Sequence, residues 1–229
     1  MKAVVQSCPG AADTLSLGNM PIPEPGPGQL RLRVRAAGVN RADVMQREGH
    51  YPPPPGASAI LGLEVAGEID AIGAGVTGFV PGERIAALVS GGGYAEFALV
   101  SASLAMRLPA GMGFVEAASL PEAWMTAWLN LRELGDLHVG QRVLIHAGAS
   151  GVGAAAIQLA RLSGATVLTT AGSDEKCAFC ESLGASLAIN YRTTDVAGAV
   201  RAAGKVDLIL DPVGGATLGP NLACLNQDG

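Results

Sequence analysis

Hydrophobic and polar residues alternate in short runs along the first half of the chain. Leu30 and Leu32 fall on one side of QLRLRVRAA and the three arginines on the other, which is typical of a half-buried strand. Further strands are predicted over EVAGEIDAIG, ERIAAL and YAEFALV, and one short helix over RADVMQRE. Glycine and proline turns separate these pieces, so residues 1–119 are expected to form a compact, irregular, barrel-like β domain.

The second half alternates between apolar runs and helical stretches. RVLIHAG, TVLTTAG, SLAINYR and VDLILDPVGG are rich in β-branched residues, and helix-like segments separate them. Continuous apolar strands that alternate with helices predict an α/β fold, with a Rossmann-type, doubly wound parallel sheet covered on both faces. This second domain is placed at residues 120–229.

The join between the halves, ASLPEAWMTAWLNLRELG, is predicted as a helix. Ser119 followed three residues later by Glu122 is the pattern of a capping box, and Gly135 is placed to end the helix. Four strands are visible in the second half, whereas an open nucleotide-binding sheet normally has about six. The chain stops at a turn-like Asp228–Gly229, so we expect the second domain to be truncated.

Composition and charge argue against several functions. The 229 residues are 49% hydrophobic and 15% charged, and the net charge of −5 disfavours binding to nucleic acid. No signal peptide is visible at the N-terminus, and glycines and polar residues interrupt the uncharged run between Arg142 and Arg161, so no membrane association is expected. Four cysteines are too few for a disulfide scaffold. These features predict a cytoplasmic protein.

The stretch IHAGASGVGAAAIQLARLSGA, residues 145–165, has the outline of a dinucleotide-binding turn. The fingerprint G-x-G-x-x-G is incomplete, because Ser150 replaces its middle glycine. Backbone N–H groups at a helix N-terminus bind phosphate, and a serine hydroxyl can also donate to it. Gly151 and Gly153 are expected to keep the tight approach and the close packing of helix on strand. The predicted cofactor-binding residues here are Gly148, Ser150, Gly151, Val152 and Gly153. The alternative is a glycine-rich turn of structural value only.

The next strand of this unit ends without the acidic residue that would hold the ribose of NADH. Gly172 and Ser173 stand there instead, Lys176 follows one turn later, and Arg192 ends the third strand. A hydroxyl and two cations suit a 2′-phosphate, so NADPH is favoured over NADH. Ser173 can also cap the following helix, with Asp174 in its first turn, and the two roles are compatible. Asp174 keeps NADH open as the alternative cofactor.

Several of these stretches resemble the medium-chain dehydrogenase/reductase family, in particular its zinc-independent quinone oxidoreductase branch. The resemblance covers nearly the whole chain and rests on AAGVNRADVMQREGHYPPPPGAS, ILGLEVAGEI, GGGYAEF, LPEAWMTAW, VLIHAGASGVGAAAIQLA and VDLILDPVGG. It implies a GroES-like N-terminal domain, a Rossmann domain that binds the cofactor, and reduction of quinones with NADPH, often by one-electron steps. For the full-length family it also implies a homodimer.

The zinc positions of this family can be compared residue by residue. Where zinc-dependent relatives carry a ligand cysteine this chain has Asn40, and where they carry a ligand histidine it has Leu63. Their four-cysteine lobe is absent from the sequence. Zinc takes Cys, His or carboxylate ligands, so no metal site is expected. Cys177 and Cys180 have the spacing of a zinc half-site or a redox dithiol, but no second pair completes a site, and we interpret them as half-buried thiols on one helix face.

Three residues close to the vacated metal position are the candidate catalytic residues, namely Asn40, Asp43 and Tyr51. The alternative for Asn40 and Asp43 is capping of the RADVMQRE helix, and for Tyr51 it is an exposed polyproline segment. The resemblance further implies that Thr126 meets the cofactor near the nicotinamide, the alternative being a buried helix threonine. It also implies that Tyr191 flanks the adenine or its ribose.

A reductase without a metal Lewis acid needs an acceptor that is already electron-poor. We therefore expect a quinone or a conjugated enone as the small-molecule substrate. Two alternatives stay open. One is a truncated, catalytically inert cofactor binder, and the other is a non-enzymatic role like that of the crystallin or RNA-binding members of the family, although the acidic charge disfavours RNA.

Overall fold

The computed structural model describes residues 1–227 and 229, and Asp228 of the predicted terminal turn lies outside the described residues. The chain forms two compact units, Met1–Glu122 and Ala123–Gly229. The domain limits 1–119 and 120–229 stay a prediction. Within the described part of the chain, no helix is long and apolar enough to cross a membrane.

The first unit is built from antiparallel strands. β1 (Lys2–Gln6) and β2 (Leu15–Asn19) pair with each other. Five further strands make up a second sheet: β3 (Gln29–Ala37), β4 (Glu64–Ile72), β5 (Arg84–Leu88), β6 (Phe97–Ser101) and β7 (Ala105–Arg107). Their order is β6–β3–β4–β5–β7. Two short helices, α1 (Arg41–Arg47) and α2 (Phe114–Ala117), complete the unit.

The alternation along β3 is confirmed by the structure. Leu30 and Leu32 are fully buried, whereas Arg33 and Arg35 are exposed. The other strands and the helix predicted for this half are also present, as β4, β5, β6 and α1. The pattern missed β1, β2 and β7, because these strands are too short or too irregular in polarity to show a period of two.

The helix that follows begins differently from its prediction. α3 spans Pro121–Trp128, and a π-helical stretch continues it over Leu129–Leu134 to Gly135. The predicted capping box is wrong: the Ser119 hydroxyl donates to the Glu116 carbonyl at 2.8 Å. The Glu122 N–H donates instead to the carboxylate of Glu64 at 2.9 Å, because a charged acceptor from another element competes with the local serine.

The second unit is a parallel α/β sandwich. Its strands are β8 (Arg142–Ile145), β9 (Thr166–Ala171), β10 (Leu187–Asn190) and β11 (Leu208–Leu210). Its helices are α4 (Gly151–Leu162), α5 (Asp174–Ser182), α6 (Val196–Ala202) and α7 (Leu218–Cys224). The strands run parallel in the order β10–β9–β8–β11. This confirms the predicted Rossmann-type sheet.

Successive residues of β8 point to opposite faces of this sheet, as in any strand. Val143 and Ile145 pack into an apolar core that includes residues of α4 and α5. Leu144 packs on the other side, in a core that includes Val200 of α6 and Cys224 of α7. Both faces of the sheet are therefore covered, and the loops that leave the carboxyl ends of the strands carry the candidate site.

Candidate functional site

The loop between β8 and α4 has the geometry of a phosphate-binding turn. Ser150 is the N-cap of α4, and its Oγ accepts the Gly153 N–H at 3.1 Å. The N–H groups of Gly151 and Val152 occupy the first helical turn, where the backbone has no intrahelical acceptor. The helix dipole adds partial positive charge at the same place. The loop therefore fits an anionic phosphate group.

Two glycines of this loop are required by close packing. A Cβ on Gly148 would overlap Thr169 Oγ1 and lie 3.1 Å from Cys180 Sγ, and a Cβ on Gly153 would overlap the Ala147 carbonyl oxygen. A Cβ on Gly151 would meet only Ala123 Cβ, at an ordinary 3.8 Å. The prediction of close packing is thus confirmed at Gly153, and Gly148 is a second crowded position. The approach of Gly151 to a phosphate stays a prediction.

The residues predicted to hold a 2′-phosphate lie at the ends of β9 and β10. Ser173 caps α5, with its Oγ accepting the Lys176 N–H at 3.3 Å. The capping role is therefore present, and contact with a phosphate stays a prediction. The side chains of Lys176 and Arg192 are exposed, and neither forms an ion pair within residues 1–227 and 229. They remain available to an anionic ligand.

Asp174, the residue that left NADH as the alternative cofactor, accepts a hydrogen bond from a neighbouring side chain. The Asn190 side-chain amide donates to its carboxylate with Nδ2 2.6 Å from Oδ1. Tyr191 is about half exposed, and its ring lies against Gly172, where a Cβ would be 2.6 Å from the tyrosine hydroxyl oxygen. Gly172 thus makes room for the ring. The cofactor contacts of these residues stay a prediction.

A second group of polar residues, which we call the acidic cluster, lies in the first unit. It contains Asn40, Asp43, Glu64, Tyr94 and Glu122. Asp43 Oδ2 accepts the Asn40 N–H and the Tyr94 hydroxyl, each at 2.8 Å. Glu64 accepts the Asn40 side-chain amide through Oε1 at 2.8 Å and the Glu122 N–H through Oε2 at 2.9 Å. Two buried carboxylates are therefore held by donors from the N-cap residue of α1, the first turn of α3 and the segment before β6.

Burial dominates the electrostatics of the acidic cluster. Asp43 and Glu64 are each only 3% exposed. Burial, together with the hydrogen bond to Asp43, raises the pKa of Tyr94. Burial and the neighbouring charges of Glu64 and Asp43 raise the pKa of Glu122. Among the described residues, Asp43 Oδ1 is buried without a hydrogen-bond partner.

The structure brings two of the three candidate catalytic residues together. Asn40 stands at the N-cap position of α1, and its side-chain amide donates to Glu64. The capping alternative holds, because Asp43 accepts the Asn40 N–H in a capping box at the start of α1. Tyr51 is 46% exposed and forms no hydrogen bond to the acidic cluster. The catalytic roles of all three stay predictions.

Sequence reasoning missed Tyr94, Glu64 and Glu122 as members of the acidic cluster. One signal was available for Glu64, because an isolated acid at the start of the apolar run EVAGEI is unusual unless it is paired. The sequence carried no signal for Tyr94. Its closeness to Gly62, where a Cβ would lie 2.8 Å from ring and backbone atoms of Tyr94, exists only in the folded chain.

The positions that the resemblance compares with zinc ligands carry an apolar side chain and an amide. Leu63 offers no donor atom, and the Asn40 amide points its Nδ2 at Glu64. Both Glu64 oxygens already accept hydrogen bonds. In the described part of the chain no group of three or more His, Cys, Asp or Glu side chains is arranged to hold a metal ion.

Two further residues have an ordinary structural setting. Thr126 lies half-buried in α3, and its carbonyl accepts the Asn130 side-chain amide at 2.8 Å; its contact with the cofactor stays a prediction. Cys177 and Cys180 are buried free thiols on α5. Burial raises the pKa of both, which is typical of unreactive structural cysteines.

Two family models match this chain. Residues 26–110 match the alcohol dehydrogenase GroES-like domain, and residues 151–229 match the zinc-binding dehydrogenase domain. The chain is also similar to the phthioceranic/hydroxyphthioceranic acid synthase of Mycobacterium bovis, at 38% identity over 186 residues. That match covers 80% of this chain but only 9% of the synthase.

Solved structures are similar over almost the whole chain. The quinone oxidoreductase from Coxiella burnetii is 33% identical with a TM-score of 0.90, and the match covers 100% of this chain and 74% of that one. CurK enoyl reductase is 34% identical with a TM-score of 0.90, and the match covers 98% of this chain and 70% of that one. The mycobacterial protein Rv1454c, solved with NADPH, is 33% identical with a TM-score of 0.87, and the match covers 98% of this chain and 71% of that one. The chain belongs to the medium-chain dehydrogenase/reductase family of oxidoreductases.

Proposed function

We propose that this chain is the catalytic and cofactor-binding part of a zinc-independent, NADPH-dependent reductase of the quinone oxidoreductase type, acting on quinones or conjugated enones. The observation that carries the proposal is the donor set at the family's metal position. There Leu63 has no ligand atom, and the Asn40 amide and the Glu64 carboxylate bind each other. A site of this kind provides hydrogen bonds but no Lewis acid.

The acceptor follows from this chemistry. A bound metal contributes several kcal/mol to the polarisation of a carbonyl, and a saturated ketone needs that help. Quinones and enones are conjugated and electron-poor, so correct orientation is enough to make them accept hydride. The similar structures named as a quinone oxidoreductase and as an enoyl reductase support this class, since both names denote conjugated acceptors.

The residues of the second unit would hold the cofactor. When bound, NADPH supplies the hydride. The first turn of α4 and the Ser150 hydroxyl would bind the pyrophosphate, while Ser173, Lys176 and Arg192 would bind the 2′-phosphate. The hydrogen bond from Asn190 to Asp174 supports NADPH over NADH, because it engages the first carboxylate after β9 and leaves it less available to a ribose hydroxyl.

The test measures NADPH oxidation with three acceptors: a simple quinone, a cyclic enone, and the saturated ketone of the same ring. We expect turnover with the first two only, no loss of activity after treatment with a chelator, and less than about 0.1 zinc per chain by elemental analysis, far from the single ion of a catalytic site. Stoichiometric zinc that is required for turnover would contradict the proposal. NADPH binding without turnover would support the alternative of an inert cofactor binder.

A further inference from the structure

A chain of buried polar side chains links the carboxyl ends of β8 and β11. His146 follows β8 directly, and its Nδ1 lies 3.0 Å from Thr170 Oγ1 while its Nε2 lies 2.8 Å from Asn221 Oδ1. The Asn221 amide then donates to Asp211 Oδ2 at 2.9 Å. His146, Thr170 and Asn221 are all buried. None of these residues has a role in the function proposed above.

The position of this chain in the sheet points to a ligand. The order β10–β9–β8–β11 places the strands that follow β8 on opposite sides of it. The crevice at the carboxyl ends of β8 and β11 is therefore the topological switch point, where open α/β sheets bind their ligands. A buried histidine at this point lies next to the phosphate-binding turn in sequence.

The hydrogen bonds determine where the protons lie. Asp211 is an acceptor, so the Asn221 side chain presents its NH₂ to Asp211 and its oxygen to His146. His146 must then carry a proton on Nε2. Thr170 Oγ1 accepts the Ala147 N–H at 3.3 Å, and its own proton is left to donate to His146 Nδ1. An Nε2–H tautomer of His146 satisfies every hydrogen bond of this arrangement.

At one end of this series of hydrogen-bonded side chains, Thr170 supports the phosphate-binding turn. Ala147 has φ 52°, in the left-handed region that is unfavourable for alanine. Thr170 holds this turn through two bonds, from the Ala147 N–H to its Oγ1 and from the Gly148 N–H to its carbonyl oxygen at 2.9 Å. His146 in turn fixes the Thr170 hydroxyl. The strained turn therefore depends on the histidine.

At the other end of the hydrogen-bonded series, Asp211 holds the turn after β11. Asp211 Oδ1 accepts the N–H groups of Val213 at 2.9 Å and Gly214 at 3.0 Å, and Thr217 donates to Oδ2. Gly214 has φ 66°, so this turn also needs a conformation that most residues avoid. One hydrogen-bonded chain thus holds both turns at the switch point.

We propose that His146 is a positioning residue for dinucleotide binding. Through Thr170 it keeps the turn at Ala147 in the conformation that presents the first turn of α4 to the pyrophosphate, and through Asn221 and Asp211 it couples this turn to the one after β11. This role rests on the proposed function, since it presupposes that the second unit binds NADPH.

The first test compares Thr170→Val, which removes the hydroxyl at nearly the same volume, with Thr170→Ser, which keeps it. Dissociation constants are measured for NADPH and for adenosine 2′-phosphate, which lacks the pyrophosphate. We expect Thr170→Val to weaken NADPH binding at least about tenfold and adenosine 2′-phosphate binding less than about twofold, with Thr170→Ser close to wild type. Equal weakening of both ligands would indicate a general structural defect and overturn the proposal.

The second test reads the histidine directly and needs no ligand. The protein contains three histidines, and ¹⁵N NMR of the ring nitrogens, assigned with His146→Gln, reports the tautomer of each. We expect Nε2–H for His146 at neutral pH, and an Nδ1–H tautomer would overturn the hydrogen-bond chain. If wild type fails to bind NADPH, the proposed function fails and this role with it. If wild type binds NADPH and Thr170→Val binds it equally well, only the role of His146 fails.

Discussion

The side-chain amide of Asn40 donates to the buried carboxylate of Glu64, with Nδ2 2.8 Å from Oε1. Asn40→Ala removes this donor and leaves a buried carboxylate oxygen without its partner, so we expect a loss of about 1–3 kcal/mol in the free energy of unfolding. Urea denaturation measures it. Asn19→Ala, at an exposed position at the end of β2, is the control and should change stability little; an equal loss in the two variants would contradict the prediction.

Tyr94 and Tyr51 make a matched pair for the same kind of test. The Tyr94 hydroxyl donates to Asp43 at 2.8 Å, whereas Tyr51 is 46% exposed. Tyr94→Phe leaves Asp43 with one donor fewer and should lower the free energy of unfolding by about 1–3 kcal/mol. Tyr51→Phe should stay within about 0.5 kcal/mol of wild type. If thermal melts rank the two variants in the opposite order, the structural role of Tyr94 is wrong.

The raised pKa of Glu122 predicts a pH dependence of stability. Burial and the charges of Glu64 and Asp43 favour the protonated form in the folded state. A carboxyl whose folded pKa is raised contributes stability below its unfolded value, near 4.5, and loses that contribution as pH rises through the folded pKa. Glu122→Gln keeps the neutral form at every pH. Its melting temperature should match that of wild type near pH 4 and exceed it at pH 7, and a constant difference across this range would count against the prediction.

Cofactor preference should depend on Lys176. A charge-assisted contact to the 2′-phosphate is lost in Lys176→Ala, so NADPH binding should weaken about tenfold, or about 1.4 kcal/mol, while NADH binding changes little. Fluorescence titration with each nucleotide measures both constants. Lys205→Ala, which removes a lysine far along the sequence from this turn, is the control. Equal affinity of wild type for the two nucleotides would contradict the choice of NADPH.

Asn190 should influence the same preference. Its side-chain amide donates to the carboxylate of Asp174 at 2.6 Å. Asn190→Ala removes this donor, so the Asp174 carboxylate should repel a bound 2′-phosphate more strongly. We expect the ratio of NADPH to NADH affinity to fall, and the double variant Asn190→Ala/Asp174→Ala to restore it. A double variant that behaves like Asn190→Ala would show that Asp174 is not the cause.

The glycines of the phosphate-binding turn should differ in their tolerance. Gly148→Ala forces a Cβ onto Thr169 Oγ1 and should cost about 1–3 kcal/mol of stability by overpacking. Gly151→Ala meets no close atom and should be neutral or stabilising by up to about 1 kcal/mol, since alanine favours a helix over glycine. Melting temperatures of the two variants decide the point.

Much of the fold could be read from local pattern. The alternation in QLRLRVRAA and the apolar runs of the second half predicted β3 and the four parallel strands, because the period of side-chain burial is a local property of the chain. The phosphate-binding turn was also visible, since its small residues stand between a strand and a helix. The strands β1, β2 and β7 were missed, because they are too short or too irregular in polarity to show a period of two.

The acidic cluster and the histidine chain belong to the tertiary structure alone. Asn40, Glu64 and Tyr94 are far apart in sequence. The capping motif Ser119–Glu122 predicted the wrong partner, because the Glu122 N–H donates to the buried carboxylate of Glu64 from β4. Gly148, and not Gly151, proved to be the crowded position, since only folding brings Thr169 and Cys180 against it. The sequence determined which segments become strands, helices and turns. The choice of partner for each buried polar group was decided by packing, because a buried donor or acceptor must bind whatever the folded chain places beside it.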